Sequence, residues 1–183
     1  MKYWSKSALS VYRYLEQMAN TIDKVILDSG KNSNHLQIQK YQTTLYQTRK
    51  MIELMERKRK MINLKVAVED ALQRMTKKER RLLCLVFIDG VKHETVTELL
   101  GVSIRTFFRR KAKALEHFNE KMIECGYNIN FFECEYSTEK WLLSVYEESV
   151  HKYNKDEENL DYYLVNRMIK EVSKIKLLTP VDI

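Results

Sequence analysis

Val91-Lys92-His93-Glu94-Thr95-Val96-Thr97-Glu98-Leu99-Leu100-Gly101-Val102-Ser103-Ile104-Arg105-Thr106-Phe107-Phe108-Arg109-Arg110-Lys111-Ala112-Lys113-Ala114-Leu115 is the stretch that decides the fold of this chain. Its pattern predicts a short helix from about 93 to 100. Gly101 then makes a turn, because a sharp bend between two helices usually needs a positive φ. Ser103 can cap the helix that follows. Val96, Leu100, Val102, Phe107, Ala114 and Leu115 fall where two crossed helices would touch. That leaves Arg105, Thr106, Arg109, Ala112 and Lys113 on the outer face of the second helix. On such a face two or three side chains near the N-terminus read base edges, and the remaining cations hold phosphates. Arg109-Arg110-Lys111 is read in the same way, as cations on an exposed face. Phe107 and Phe108 adjoin, so one must face outward, toward a thymine methyl, a protein partner or a flanking domain.

Upstream, Thr76-Lys77-Lys78-Glu79 fits a capping box. The Thr76 hydroxyl can accept from the amide three residues on, and Glu79 can reach back to the Thr76 amide. The helix so opened, 77–88, carries Leu82, Leu83, Leu85, Val86, Phe87 and Ile88, apolar nearly all round, and is expected at the buried centre of a small domain. Asp89-Gly90 ends it.

Before this lies a predicted hairpin. Ala8, Tyr12, Leu15, Ala19, Ile22 and Ile26 place one apolar stripe on a helix from 3 to about 28. Ser29 to Asn34 reads as a breaker, with Gly30 as a left-handed helix end and Asn34 as the next cap. A helix over about 35–74 follows. Ile38, Tyr41, Leu45, Thr48, Ile52, Met55, Arg59, Ile62 and Val66 give it a heptad-like seam. The first helix is expected to fold back on this seam, but it is too short to cover all of it. The part near Met55 to Val66 must then pack on the following domain or on another chain. Within it, Arg57-Lys58-Arg59-Lys60 reads either as a solvated face or as a phosphate contact.

The chain has 183 residues, 44% of them hydrophobic, enough for a core. Four glycines and one proline disfavour a sheet with many tight turns and suit long helices. Charge is unevenly spread. Residues 49–81 hold twelve Lys and Arg against five Asp and Glu, whereas 122–183 hold seven against twelve. The basic part favours a polyanion and the acidic end would avoid one. Cys84, Cys125 and Cys134 are odd in number and lack metal-ligand spacing, so reduced thiols are expected, with Cys84 in the core. His35, His93, His117 and His151 are scattered, and nothing places a base or metal beside Glu133 and Glu135. With no Gly-rich nucleotide loop and no nucleophile grouping, no enzyme, cofactor or metal is expected. No apolar run reaches membrane-spanning length and no signal peptide opens the chain, so a cytoplasmic location is expected.

Glu79-Arg80-Arg81-Leu82-Leu83, Asp89-Gly90, Val96-Thr97-Glu98-Leu99-Leu100-Gly101-Val102-Ser103 and Ala114-Leu115 together resemble the region 4 pattern of the sigma-70 family of RNA polymerase sigma factors. The likeness spans about residues 70–118. It implies a compact all-helical domain whose second motif helix enters the major groove of a promoter element, with an apolar patch offered to RNA polymerase. Carried over by position, it implies Arg105, Thr106, Phe108, Arg109 and Lys113 as DNA contacts, and the same frame adds Arg110. Three positions depart from the pattern. Lys92 stands where a capping Ser or Thr is usual, Thr95 where Glu is common, and Thr97 where a small Ala packs, so the Thr97 hydroxyl needs a partner such as a carbonyl one turn back. Residues 1–70 hold no identifiable promoter-melting segment. The chain is therefore more similar to sigma-like regulators, such as those of phages and mobile elements of bacteria, than to a complete sigma factor.

In the remainder, 128–136 reads as a loop or short extended piece. Ser137 reads as the cap of a helix through about Tyr153 that carries Trp141, Leu142, Val145 and Tyr146. An acidic amphipathic helix is expected over about 159–178. Trp4 and Trp141 are expected as core or interface anchors. The expected fold is all-α: a helical hairpin over 1–70, a sigma region 4-like helix-turn-helix domain over 71–125, and an acidic helical extension over 126–183. The expected function is a sequence-specific transcription regulator. Its expected partners are double-stranded DNA, RNA polymerase and a second copy joined through the hairpin, with no membrane. Two alternatives stay open: a DNA-binding assembly protein such as a phage packaging subunit, and a polymerase adaptor without sequence readout.

Overall fold

A computed structural model describes residues 1–32 and 40–151. Every regular element among them is a helix: α1 (Lys2–Asn32), α2 (Lys40–Gln73), α3 (Lys77–Leu83) continued by a π-helical turn (Cys84–Ile88), α4 (His93–Leu100), α5 (Ile104–Glu124), α6 (Ile129–Tyr136) and α7 (Lys140–His151). The all-α expectation therefore holds. No helix among the described residues is long and apolar enough to cross a membrane. These residues divide into two compact units, one of 1–13 with 63–151 and one of 14–32 with 40–62.

In the second unit α1 buries Leu15, Met18, Ala19 and Ile22, and α2 buries Leu54 and Met61. The Lys58 ammonium donates to both oxygens of Asp23, at 2.6 and 2.8 Å, tying the two helices at the edge of that apolar face. The expected seam is not the buried one. Leu45, Ile52, Met55 and Ile62, with Val66 further along α2, are exposed. The cause is that α2 carries two apolar stripes. Leu54, Met61 and Val68 also recur at heptad spacing, and that stripe is the covered one. A second difference lies at the end of α1, which runs through Ser29 and Gly30 to Asn32. One glycine in a helix costs about 1 kcal/mol, too little to end it without a competing structure. The proposed Asn34 cap lies outside the described residues.

The first unit holds the helix-turn-helix. Its core joins Ala8, Leu9 and Val11 of α1, Leu64 to Met75 at every inward position, Leu82 and Leu83 of α3, Val96 of α4, and the inner side of α5. Trp4 stacks on Phe132 at 5.3 Å and on Tyr146 at 4.1 Å, so it is a core anchor that fastens the chain's beginning to α6 and α7. Tyr12 and Tyr127 donate to adjacent carboxylates of α2, Glu69 at 2.6 Å and Asp70 at 3.0 Å. Burial first, and then the Asp70 bond and charge, push the Tyr127 hydroxyl above its ordinary pKa.

Two local expectations fail here. Residues 129–136 are helical because Asn128 caps them, its side-chain oxygen accepting from the Phe131 amide at 3.1 Å. Ser137 closes that helix and does not open the next. α7 starts three residues later, after Glu139, a buried carboxylate that accepts from the Trp141 indole at 2.9 Å. The acidic helix expected at 159–178 lies outside the described residues.

The Thr76 cap forms as expected, its hydroxyl accepting from the Glu79 amide at 3.4 Å. The Glu79 carboxylate turns elsewhere: it accepts from the Thr76 hydroxyl at 2.7 Å and meets His117 Nδ1 of α5 at 2.6 Å. α3 is thereby pinned to α5 by a side chain that also serves its own first turn. Beyond Leu83 the helix widens. The Asp89 amide reaches the Cys84 carbonyl at 2.9 Å, a five-residue closure that rotates the following side chains off the core. Leu85, Val86, Phe87 and Ile88 are half-buried as a result, where the sequence predicts a fully buried centre. Cys84 is likewise half-buried, and burial raises its thiol pKa, with Asp89 adding to the effect.

Two expected outcomes follow. Lys92 opens α4 in extended geometry without a side-chain bond to the helix. Replacing it by Ser should raise unfolding stability by about 1 kcal/mol in urea titration. For Glu79, burial acts to raise the pKa. The bonds to Thr76 and His117, with the charges of His117 and Lys113, outweigh burial and hold the carboxyl below its ordinary 4.5. A depressed folded-state pKa means stability that is present above 4.5 and lost as pH falls through the folded value. Glu79→Gln should be less stable than the parent at neutral pH and should lose less on acidification below that point, read from melting curves across pH.

Candidate nucleic-acid interface

The turn between α4 and α5 has a defined backbone cause. Gly101 sits at φ 60 and ψ 41, left-handed geometry that an L side chain adopts only at a cost of about 1–2 kcal/mol. Its amide reaches Glu98 O at 3.1 Å and the Val102 amide reaches Thr97 O at 3.1 Å, closing the last carbonyls of α4. Thr97 bonds back to Glu94 O at 2.6 Å, so its hydroxyl has the partner it needs at the helix crossing. Ser103 then starts α5 in extended geometry, its hydroxyl oxygen accepting from the Thr106 amide at 3.3 Å.

α5 is amphipathic over its whole length. Phe107, Lys111, Ala114, Phe118 and Met122 are buried, at steps of three and four. This face packs against α3 and α4. At about 100° per residue, Arg105, Arg109 and Ala112 centre on the opposite side. All three are exposed, as are Phe108, Arg110 and Lys113. Lys113 stands within half a right angle of Arg109, roughly 40° round the axis, whereas Arg110 lies about 100° away from it, off the shared face. Six of the sequence-predicted residues thus lie on one helix, but they do not form one cluster.

Thr106 differs from the others. It is half-buried, and its hydroxyl oxygen takes the Ser103 proton at 3.0 Å. Its own proton still leaves it one donor. Phe108 is 46% exposed, with its ring edge-on to His93 at 5.5 Å and to Phe107 at 5.2 Å. Of the adjacent pair, Phe107 faces the core and Phe108 faces outward.

Lys111 overturns part of the sequence reading. Grouped with Arg109 and Arg110 as an exposed cation, it is instead only 6% exposed. Its ammonium lies 5.5 Å from the centre of the Phe87 ring and 3.4 Å from His93 Nε2. An ammonium has no lone pair, so in that contact the imidazole nitrogen is the acceptor. Lys111 therefore joins the π-helical turn, the start of α4 and α5. The spacing carried this information: 111 is four residues after Phe107 and three before Ala114, in the buried register.

The charge along α5 also bounds the face. Glu116, exposed one turn beyond Ala112, pairs with Lys2 at 3.7 Å. Glu94 and Glu98 are exposed on α4. Carboxylates repel phosphate, so along α5 the exposed cations that could meet it are those of the first three turns. Among the described residues no three His, Cys, Asp or Glu side chains converge on a metal-sized site. The three cysteines are free thiols.

Comparison with known proteins agrees with this geometry. Residues 65–118 match the family model described as Sigma-70, region 4. No curated protein and no solved structure matches the chain. Domains of that family bind DNA and RNA polymerase, so the segment supports a DNA-binding, polymerase-associated regulatory role in general. From the end of α2 to the middle of α5, this chain carries a sigma-70 region 4-like helix-turn-helix domain.

Proposed function

We propose that this protein is a sequence-specific transcription regulator that acts by binding inside the cell, not by catalysis, and that reads promoter DNA with the first three turns of α5. The observation that carries this reading is the exposure of Arg105 and Arg109 on the side of α5 opposite its buried stripe, directly after the Ser103 cap. A guanidinium can bond a guanine edge with two donors, so Arg105 and Arg109 are assigned to bases. Thr106 keeps one hydroxyl proton for a base or phosphate oxygen. Phe108 offers an apolar ring to a thymine methyl. Lys113 and Arg110 hold phosphates, Arg110 from further round the helix.

RNA polymerase is the second partner in this reading. Leu85 to Ile88, turned partly off the core by the π-helical turn, supply half-exposed apolar surface within the region 4-like segment. Leu99 and Ile104 add exposed apolar side chains on either side of the motif turn.

Fluorescence-anisotropy titration against promoter fragments and scrambled duplexes tests the base-reading assignment. Arg105→Ala should weaken the preferred fragment by ~1–3 kcal/mol and relax its advantage over the scramble. Lys113→Ala should weaken all duplexes alike and lower the salt slope by about one unit. Equal affinity for every duplex, before and after Arg105→Ala, would contradict base reading. Lys111→Ala serves as the contrast. Its loss should appear as a lower melting point, about 1 kcal/mol or more of stability, with the salt slope of DNA binding unchanged.

A further inference from the structure

The second unit leaves one face of α2 without a structural explanation. Leu45 is 75% exposed, Ile52 56%, Met55 53% and Ile62 45%. With Thr48 and Arg59 they follow alternating steps of three and four, the spacing of a coiled-coil seam. At about 100° per residue this seam is centred roughly 130° round the helix from the Leu54–Met61 face that α2 buries. Four large apolar side chains in one line of an otherwise charged helix mark an interaction surface and not ordinary surface scatter.

We propose that the Leu45–Ile62 face of α2 docks a second copy of this chain, the two α2 helices pairing antiparallel about a midpoint between Glu53 and Leu54.

Three features of the sequence on this face select that occupant and that register. The first is layer matching. About this midpoint, Leu45 meets Ile62 of the second copy, Ile52 meets Met55, and Arg59 meets Thr48. Each apolar residue therefore faces an apolar one, and the single cation of the seam faces a small polar residue. The second is direction. Parallel, in-register pairing would set Arg59 against its own copy, two cations in one layer. The third is charge at the flank. In the antiparallel arrangement Arg49 of one copy stands beside Glu56 of the other, and the two-fold repeats the pair. Sliding the register by one heptad either way brings Arg49 against Arg49 or Glu56 against Glu56.

The Arg59 guanidinium is compatible with a place at the seam. Its Nε donates to Glu56 at 2.8 Å, which turns the charged head to the flank and leaves the aliphatic stem along the seam. Glu56 so placed lies between two guanidinium groups, Arg59 of its own chain and Arg49 of the other. Lys58, held by Asp23 on the α1 side, takes no part.

Charge reversal in the full-length chain tests both the partner and the direction. Sedimentation equilibrium across roughly 1 to 200 µM, the range suited to a short coiled-coil contact, should show a monomer–dimer equilibrium for the parent. Arg49→Glu alone sets two carboxylates against each other in every flank pair, and Glu56→Arg alone sets two guanidinium groups there. Each should raise the dissociation constant at least about tenfold. Mixing the two variants should restore dimers, because every flank pair is then of opposite charge. Ile52→Lys should abolish association, and circular dichroism should show each exposed-site variant as helical as the parent. A parent that stays monomeric throughout overturns the proposal. If in that case Ile52→Lys also lowers the melting point, the occupant is residues 152–183 of the same chain. Dimers indifferent to Arg49→Glu, or variants whose mixture fails to associate, overturn the antiparallel register and with it the proposal.

Discussion

The helix-turn-helix depends on one buried stripe, Phe107, Lys111, Ala114, Phe118 and Met122, packed against α3 and α4. A helix has one degree of rotation about its own axis, and this stripe removes it. Once Phe107 and Ala114 are fully buried, Arg105, Arg109 and Ala112 can only face out. The Glu79–His117 contact adds a polar tie between α3 and α5 at the level of the next turn. The direction of α5 is set separately, by the left-handed backbone at Gly101 and the Ser103 cap. Rotation and direction together determine what the cationic residues can reach.

The same domain commits several polar groups to its own architecture. Lys111 lies in the sequence among candidate DNA contacts, yet it braces the π-helical turn against α4, and Thr106 uses its hydroxyl oxygen, though not its proton, to complete a cap. Glu116 of α5 and the two exposed carboxylates of α4, Glu94 and Glu98, bring negative charge to the same unit. What remains on α5 is a short cationic surface over its first three turns, built from Arg105, Arg109, Arg110 and Lys113.

Much of this is legible in the sequence. The caps at Thr76 and Ser103 and the glycine turn at 101 are local events, each governed by a hydroxyl or a missing Cβ within three residues, so the sequence alone places them. The Thr97 back-bond is local in the same sense. The helix at 129–136 escapes such a reading because its cap, Asn128, precedes a segment rich in aromatic residues whose intrinsic preference favours extended backbone; burial of Phe132 and Tyr136 decides otherwise. The half-exposure of Leu85 to Ile88 escapes it because a π-helical turn shifts the register by one residue, and nothing in an all-round apolar run marks where that happens.

By itself, then, the sequence determined most of the helices, the motif and the outward side of α5, since periodicity and capping are short-range properties of a single helix. Only the tertiary structure decided which of the two apolar stripes on α2 is covered, and whether a lysine in a basic run faces water or an aromatic ring. Both stripes follow the heptad period, so the choice rests on what α1 brings to the unit: Leu15, Met18, Ala19 and Ile22 with Asp23 at their edge. That is a matter of shape and charge between segments some forty residues apart, which no count along one segment contains.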